Sequence, residues 1–275
     1  ELFEQPLEYP DIEMRERFSD LVGLDEHKSR LTKILSLLIN PDGIRSWAEK
    51  YHPNSERIVN LVLKRPPLVV LEGDVGCGKT ELALTIGDTV ARQEKIGITL
   101  LPLSLATRGQ GLVGEMTKLI SSAFDHTIEK AIKLKSQTGS SRGGVILLVD
   151  EADALAQSRE TNQMHHEDKA GVNAFIRGID RIANGKLPAA VIMCTNRLSS
   201  LDPAIKRRSA DIIKFERPNE TQQLAVAVVP LMELGFTQKQ VEDLILEIYK
   251  KHIASVGYGY SFSDLMQRVL PSIIL

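Results

Sequence analysis

Between residues 25 and 39 the apolar side chains Leu31, Ile34, Leu35 and Leu38 return every three or four positions, the period of a helix that buries one face. A second helical stretch covers about 42–63 and stops at "KRPP" (64–67), where proline removes a backbone donor. "LVVLE" (68–72) follows as a short, wholly apolar run, which predicts a buried strand. From there the two periods take turns: helix 79–93, strand 97–103, helix 112–136, strand 144–149, helix 167–183, strand 189–195 and strand 211–216. Such alternation predicts an α/β fold, a parallel sheet with helices on both faces.

After Pro218 the strand pattern ends, and 220–234, 237–254 and 261–270 all read as helices. Composition changes at "ERPNE" (216–220), so the expected division is a large α/β unit over 1–217 and a small helical one over 218–275. Residues 1–20 carry little pattern and read as an extended, acidic lead-in. "KSQTGSSRGG" (135–144) and "SRETNQMHHED" (158–168) are loops by composition.

Composition changes this picture little. Hydrophobic residues make up 43% of the 275 and charged residues 25%, ordinary for a globular protein. Lys and Arg total 34 against 36 for Asp and Glu, a net charge of −2, which argues against a dedicated nucleic-acid binder. The apolar runs, such as "VILLV" (145–149), are far short of the roughly 20 residues that span a membrane. Cys77 and Cys194 have neither disulfide nor zinc spacing, so a reducing, cytoplasmic setting is expected. Adjacent His165 and His166 cannot share a helix face, and Trp47 reads as packing.

Chemistry enters at "GDVGCGKT" (73–80), which fits G-x-x-x-x-G-K-[ST] between a strand and a helix. Phosphate must be approached closely by backbone N–H groups, and Gly73, Gly76 and Gly78 keep side chains out of the way. Lys79 can then reach the β- and γ-phosphates of ATP, the helix start adds its dipole, and the Thr80 hydroxyl can ligate Mg²⁺. Asp74, Val75 and Cys77 in the loop, with Glu81 beyond it, complete this segment.

"GVILLVDEAD" (144–153) is a buried strand ending in carboxylates. At the C-terminal end of a parallel strand they face the ligand crevice. Asp150 is the Mg²⁺-side acid, Glu151 is placed to deprotonate a water, and Asp153 suits a turn or helix start. The strand "AAVIMCTN" ends at Asn196, whose amide can hold that water against the γ-phosphate. Arg207 and Arg208 stand before the last strand. The phosphate loop supplies no arginine for the transition state, and a neighbouring subunit could.

Together "DLVGLDEHK" (20–28), "GDVGCGKT" (73–80), "VILLVDEAD" (145–153), "CTN" (194–196) and "LDPAIKRRSAD" (201–211) stand in the order of an AAA+ ATPase, across nearly the whole chain. More narrowly, "EDKAGVNAFIRGID" (167–180) and "RSADIIKFERP" (208–218) resemble the pachytene checkpoint ATPases, which remodel HORMA-domain proteins. The compact length is similar to that of the bacterial relatives found in CBASS anti-phage operons.

The resemblance implies a five-stranded parallel sheet with flanking helices, a C-terminal helical lid, and a hexameric homo-oligomeric ring with ATP at the subunit interfaces. It places Leu21, Val22 and Gly23 against adenine and makes Asn196 the water sensor. General AAA+ spacing gives Arg207 as the arginine finger and the pachytene spacing gives Arg208, the favoured one. The first pore loop falls on "GQGLVGE" (109–115), with Leu112 and Val113 where the wider family carries an aromatic. The lid's second-sensor arginine is replaced by Asp264 or Leu265, with Arg268 one turn further on. The stretch before residue 20 is too short for an N-terminal recognition domain, which leaves substrate choice to the pore loops, the upper face or an extra protein. Two other readings compete: a DNA loader or motor, which needs basic pore residues, and a non-catalytic nucleotide-dependent scaffold, which would expect Glu151 or Asn196 to be lost.

Overall fold

The computed structural model describes residues 2–105, 114–136, 141–155 and 165–274. The strands are β1 (Leu7–Tyr9), β2 (Leu68–Gly73), β3 (Gly97–Ser104), β4 (Gly143–Asp150), β5 (Ala189–Thr195) and β6 (Ser209–Phe215). They form one sheet in the order β1-β3-β4-β5-β2-β6, and the last five are mutually parallel. Alternate residues of the central strands go to opposite faces. Val69, Leu71, Ile146, Leu148 and Ile192 enter one core, while Val70, Leu147, Val149, Val191 and Met193 enter the other. Both faces are dry, which is why these strands show no polar alternation.

The first core is covered by α1 (Ile12–Asp20), α2 (Asp25–Ile39) and α5 (Lys79–Glu94). The short pair α3 (Asp42–Tyr51) and α4 (Glu56–Leu63) lies between the last two in the chain. The second core is covered by α6 (Glu115–Leu134), α7 (His165–Gly185) and α8 (Pro203–Arg207). No strand occurs among the described residues after Phe215. There α9 (Glu220–Glu233) and α10 (Gln238–Val256) pack together with a last helical stretch. That stretch runs from α11 (Phe262–Asp264) through a π turn, Leu265–Val269, into α12 (Leu270–Ile274). Ala227, Leu231, Val241, Ile245 and Leu270 form a separate small core.

Three features differ from expectation. The sheet has five parallel strands, as the resemblance implies, plus a sixth. The lead-in supplies β1, antiparallel to β3, with Leu7 opposite Leu100 and Tyr9 opposite Ile98. Tyr9 anchors it: the ring is buried over Gly87, where a Cβ would collide, and the hydroxyl donates to the Leu84 carbonyl. Three residues are too few to show a period. Second, α1 is a helix that the lead-in reading lacked. It is capped by the Asp11 side chain, which accepts from the Met14 N–H, and it buries only Met14. Third, the stretch 42–63 is two helices broken around Pro53. Among the described residues no helix is long and apolar enough to cross a membrane.

Candidate active site

β2 lies between β5 and β6, while the chain leaving it crosses to β3 on the far side of β4 and β5. This change of direction opens a crevice at the C-terminal strand ends, the usual ligand position in such sheets. The segment 73–80 bridges that end of β2 to the start of α5. Its glycines are required by geometry at two points. A Cβ at Gly73 would collide with the Phe215 carbonyl, and Gly76, at φ 77°, would place one 2.7 Å from Ser261 Oγ.

Lys79 is 6% exposed and is held by three acceptors, the carbonyls of Gly73 (2.7 Å) and Asp74 (2.8 Å) and Asn196 Oδ1 (3.0 Å). An ammonium has three protons, so each finds an oxygen. The contact to Asn196 joins the phosphate-loop segment to the tip of β5. That tip is itself fixed by Asp153, whose carboxylate accepts from Thr195 Oγ1 (2.7 Å), the Asn196 N–H (3.0 Å) and the Arg197 N–H (3.2 Å). Asp153 lies in the 3₁₀ turn Ala152–Leu155, as a turn residue should, but its side chain acts on the neighbouring strand.

Asp150 ends β4 and accepts the Glu151 N–H at 2.7 Å. Glu151 is exposed and has φ 54°, a left-handed conformation that costs a non-glycine residue free energy. Strained residues of this kind concentrate at functional sites. Its Oε2 accepts a 2.6 Å hydrogen bond from Ser104 at the end of β3. Ser104 is the register partner of Asp150, a relation between strands that sequence alone does not give.

The remaining candidates are distributed as follows. Thr80 and Val75 are exposed, the latter at 73%. Glu81 turns from the crevice to α1, where Arg17 grips its carboxylate with bonds of 2.8 and 2.9 Å. Cys77 is buried beneath the loop, and burial pushes its thiol pKa up against the opposing pull of Lys79. Leu21 and Val22 lead to Gly23, whose carbonyl accepts from Gln222 Nε2 at 2.7 Å. Arg207 is exposed, and its side chain makes no hydrogen bond or ion pair with the described residues. Arg208 forms a fork with Asp180, 2.8 and 3.1 Å. Asp264 caps its own helix against Ser261, Leu265 is buried, and Arg268 is 82% exposed beside Asp264. Leu112 and Val113 lie outside the described residues.

The donor set fits a magnesium nucleotide. A glycine loop admits phosphate, a buried ammonium stands in it, and a hydroxyl (Thr80) at the start of α5 and a carboxylate (Asp150) at the end of β4 are the hard oxygen ligands that Mg²⁺ takes. A lysine satisfied by two carbonyls of its own loop and by Asn196 has a ready set of bonds to exchange for phosphate oxygens.

A strand–glycine loop–helix beside paired carboxylates and an asparagine at a neighbouring strand tip defines a P-loop ATPase site. The chain belongs to the ATPase family associated with various cellular activities (AAA), whose sequence profile matches residues 69–217. It is 64% identical over 275 residues to CD-NTase-associated protein 6 of Escherichia coli (strain MS 115-1), an alignment covering 100% of this chain and 88% of that protein. Among solved structures it is similar to a chain of the E. coli MS115-1 HORMA:CdnC:Trip13 complex, with TM-score 0.87, 61% identity, and coverage of 99% of this chain and 88% of that one. It is also similar to Rhizobiales Trip13, with TM-score 0.75, 53% identity, and coverage of 99% and 90%. Nucleotide binding and ATPase activity in general follow from this membership.

Proposed function

We propose that this chain is an ATP-hydrolysing ring remodeller that opens a closed HORMA-domain protein and so switches off anti-phage (CBASS) signalling in the cytoplasm. One observation carries the reading: likeness over 99% of the chain to a protein solved in complex with a HORMA protein and CdnC. The site geometry supports the hydrolytic part.

In this reading the N–H groups of 73–80 and the Lys79 ammonium hold the phosphates, and Leu21, Val22 and Gly23 lie along the base. Thr80 and Asp150 hold Mg²⁺, which draws charge from the phosphates when bound. Glu151 takes the proton of the attacking water, and Asn196 orients that water. Arg207 or Arg208 acts on the neighbouring subunit's site in a hexameric ring. Leu112 and Val113 grip an extended segment in the pore, each contributing at most about 1.5–3 kcal/mol on full burial.

The test is release of a bound partner peptide from a closed HORMA protein by the purified protein with ATP. The wild type should release it only when ATP is hydrolysed. Replacing Leu112 and Val113 with serine should leave basal ATPase activity near normal and abolish release. Release that proceeds without ATP would overturn the remodelling reading. Turnover stimulated by DNA, but not by the HORMA protein, would favour a DNA motor.

A further inference from the structure

Arg217 stands in the link between β6 and α9, and its guanidinium has three partners at once. Nε donates to Asp74 Oδ2 in the phosphate-loop segment at 2.9 Å, and Nη1 donates to the Gly259 carbonyl at 3.0 Å. Its Cζ lies 4.3 Å from the centre of the Tyr258 ring. Tyr258 in turn meets His252 of α10 edge-on, and His252 stacks on Tyr260 with ring centres 3.5 Å apart. Segment 257–264 also touches the phosphate loop directly. The Ser263 N–H donates to the Gly76 carbonyl at 3.1 Å, and Ser261 Oγ fills the space that a side chain at position 76 would need.

We propose that Arg217 is a positioning residue that couples the phosphate loop to segment 257–264, so that nucleotide in the loop orders that segment and the helices it joins. The inference rests on the nucleotide reading above. Phosphate in the loop must displace at least one of the three acceptors that Lys79 uses, the Gly73 and Asp74 carbonyls and Asn196 Oδ1, since the ammonium has no proton to spare, and two of the three lie in the loop. Asp74 then shifts or stiffens, and its carboxylate is bound to Arg217. Arg217 bonds the 259 carbonyl and covers the 258 ring through one planar group, so it moves both together. A planar fork does this; a lysine ammonium, a point charge on a flexible stem, does not. With Arg268 exposed beyond Asp264, Arg217 is the arginine that links this helical end to the loop among the described residues.

The experiment compares wild type with Arg217→Ala and Arg217→Lys. Hydrogen exchange of 257–264 is followed with and without ADP, and ADP affinity is measured separately by calorimetry. In wild type, ADP should slow exchange of this segment by about tenfold or more, the scale of one charge-assisted hydrogen bond. Both variants should bind ADP within several-fold of wild type, yet exchange in 257–264 should no longer respond to it. An unchanged ADP response in Arg217→Ala overturns the proposal, as does wild type that binds ADP with no response in 257–264. Wild type that does not bind ADP overturns the nucleotide reading, and this inference falls with it. Should Arg217→Ala fail to fold, Tyr258→Leu removes the ring contact while sparing the Asp74 pair, and it should lose most of the response; a full response there also overturns the proposal.

Discussion

The Ser104 hydroxyl donates a 2.6 Å hydrogen bond to Glu151 Oε2 across the ends of two paired strands. A hydroxyl on a carboxylate is a charge-assisted bond, and it occupies one of the lone pairs that a general base needs. Ser104 therefore restrains Glu151 in the state described. Ser104→Ala should raise basal ATP turnover by up to about tenfold, the factor for a bond of about 1.4 kcal/mol. Glu151→Gln keeps the side chain's shape and removes the base, so turnover should fall by about 10²–10⁴-fold with ATP binding retained. Steady-state turnover of both variants beside direct nucleotide binding checks this. Full activity in Glu151→Gln would remove Glu151 from the reaction.

Asp153 acts through Asn196 rather than on the nucleotide. Its one carboxylate holds a hydroxyl and two N–H groups at the tip of β5. Asp153→Ala removes the acceptor of the Thr195 hydroxyl and the Asn196 N–H, and leaves the Arg197 N–H only Thr195 Oγ1. With bonds to a charged group worth about 1.5–3 kcal/mol, Tm should fall by about 3–10 °C. The kcat defect should match that of Asn196→Ala, and the double variant should be no slower than either single, since both remove one function. Additive losses in kcat would mean that Asp153 has a separate role.

Much of this site is legible from the chain because its parts are local. Gly73 to Thr80 are contiguous, and β2, β4 and β5 are apolar on both faces, so their tips stand out where polarity begins. What could not be read is non-local. Ser104 reaches Glu151 through strand register, Arg17 draws Glu81 away from the crevice across 64 positions, and Arg217 meets Asp74 across 143. β1 was hidden by its shortness, and α1 by having only Ile12, Met14 and Phe18 as apolar residues, with Ile12 exposed, too few to mark a buried face. Asp153 looked like a turn residue and is one, but its partners lie in another strand.

The two thiols should be inert in the native protein. Burial raises the pKa of Cys77 and, together with the charge of Asp150, raises that of Cys194 well above the usual range. A raised pKa means that the thiol stays protonated at pH 8, and the thiolate is the reactive form. Labelling by an aromatic disulfide reagent at pH 8 should be at least about tenfold slower than for a free thiol, with both sites reacting once the chain is denatured. Rapid native labelling at Cys77 would show that the loop is open far more than its packing implies.

Arg207 and Arg208 stand at the wrong end of the sheet to serve their own phosphate loop. Ser209, the first residue of β6, pairs with Leu68 at the start of β2, while the loop begins at Gly73. Five strand steps separate those levels, about 17 Å at the usual rise, which is longer than an arginine side chain. A catalytic role therefore requires a second subunit, and mixing tests it. Arg208→Ala should bind ATP without hydrolysing it, and mixing it with inactive Lys79→Ala should restore some activity at interfaces that pair an intact loop with an intact arginine. Asp180 decides which arginine acts. If the fork with Asp180 aims Arg208 at the neighbour, Asp180→Ala should lower turnover in the same direction as Arg208→Ala. If the pair is structural, both variants should stay active and lose no more than about 1 kcal/mol of stability, the worth of a partly exposed ion pair, and Arg207→Ala should be the inactive one. Activity in all three, measured in the assembled protein, would mean that neither arginine completes the site.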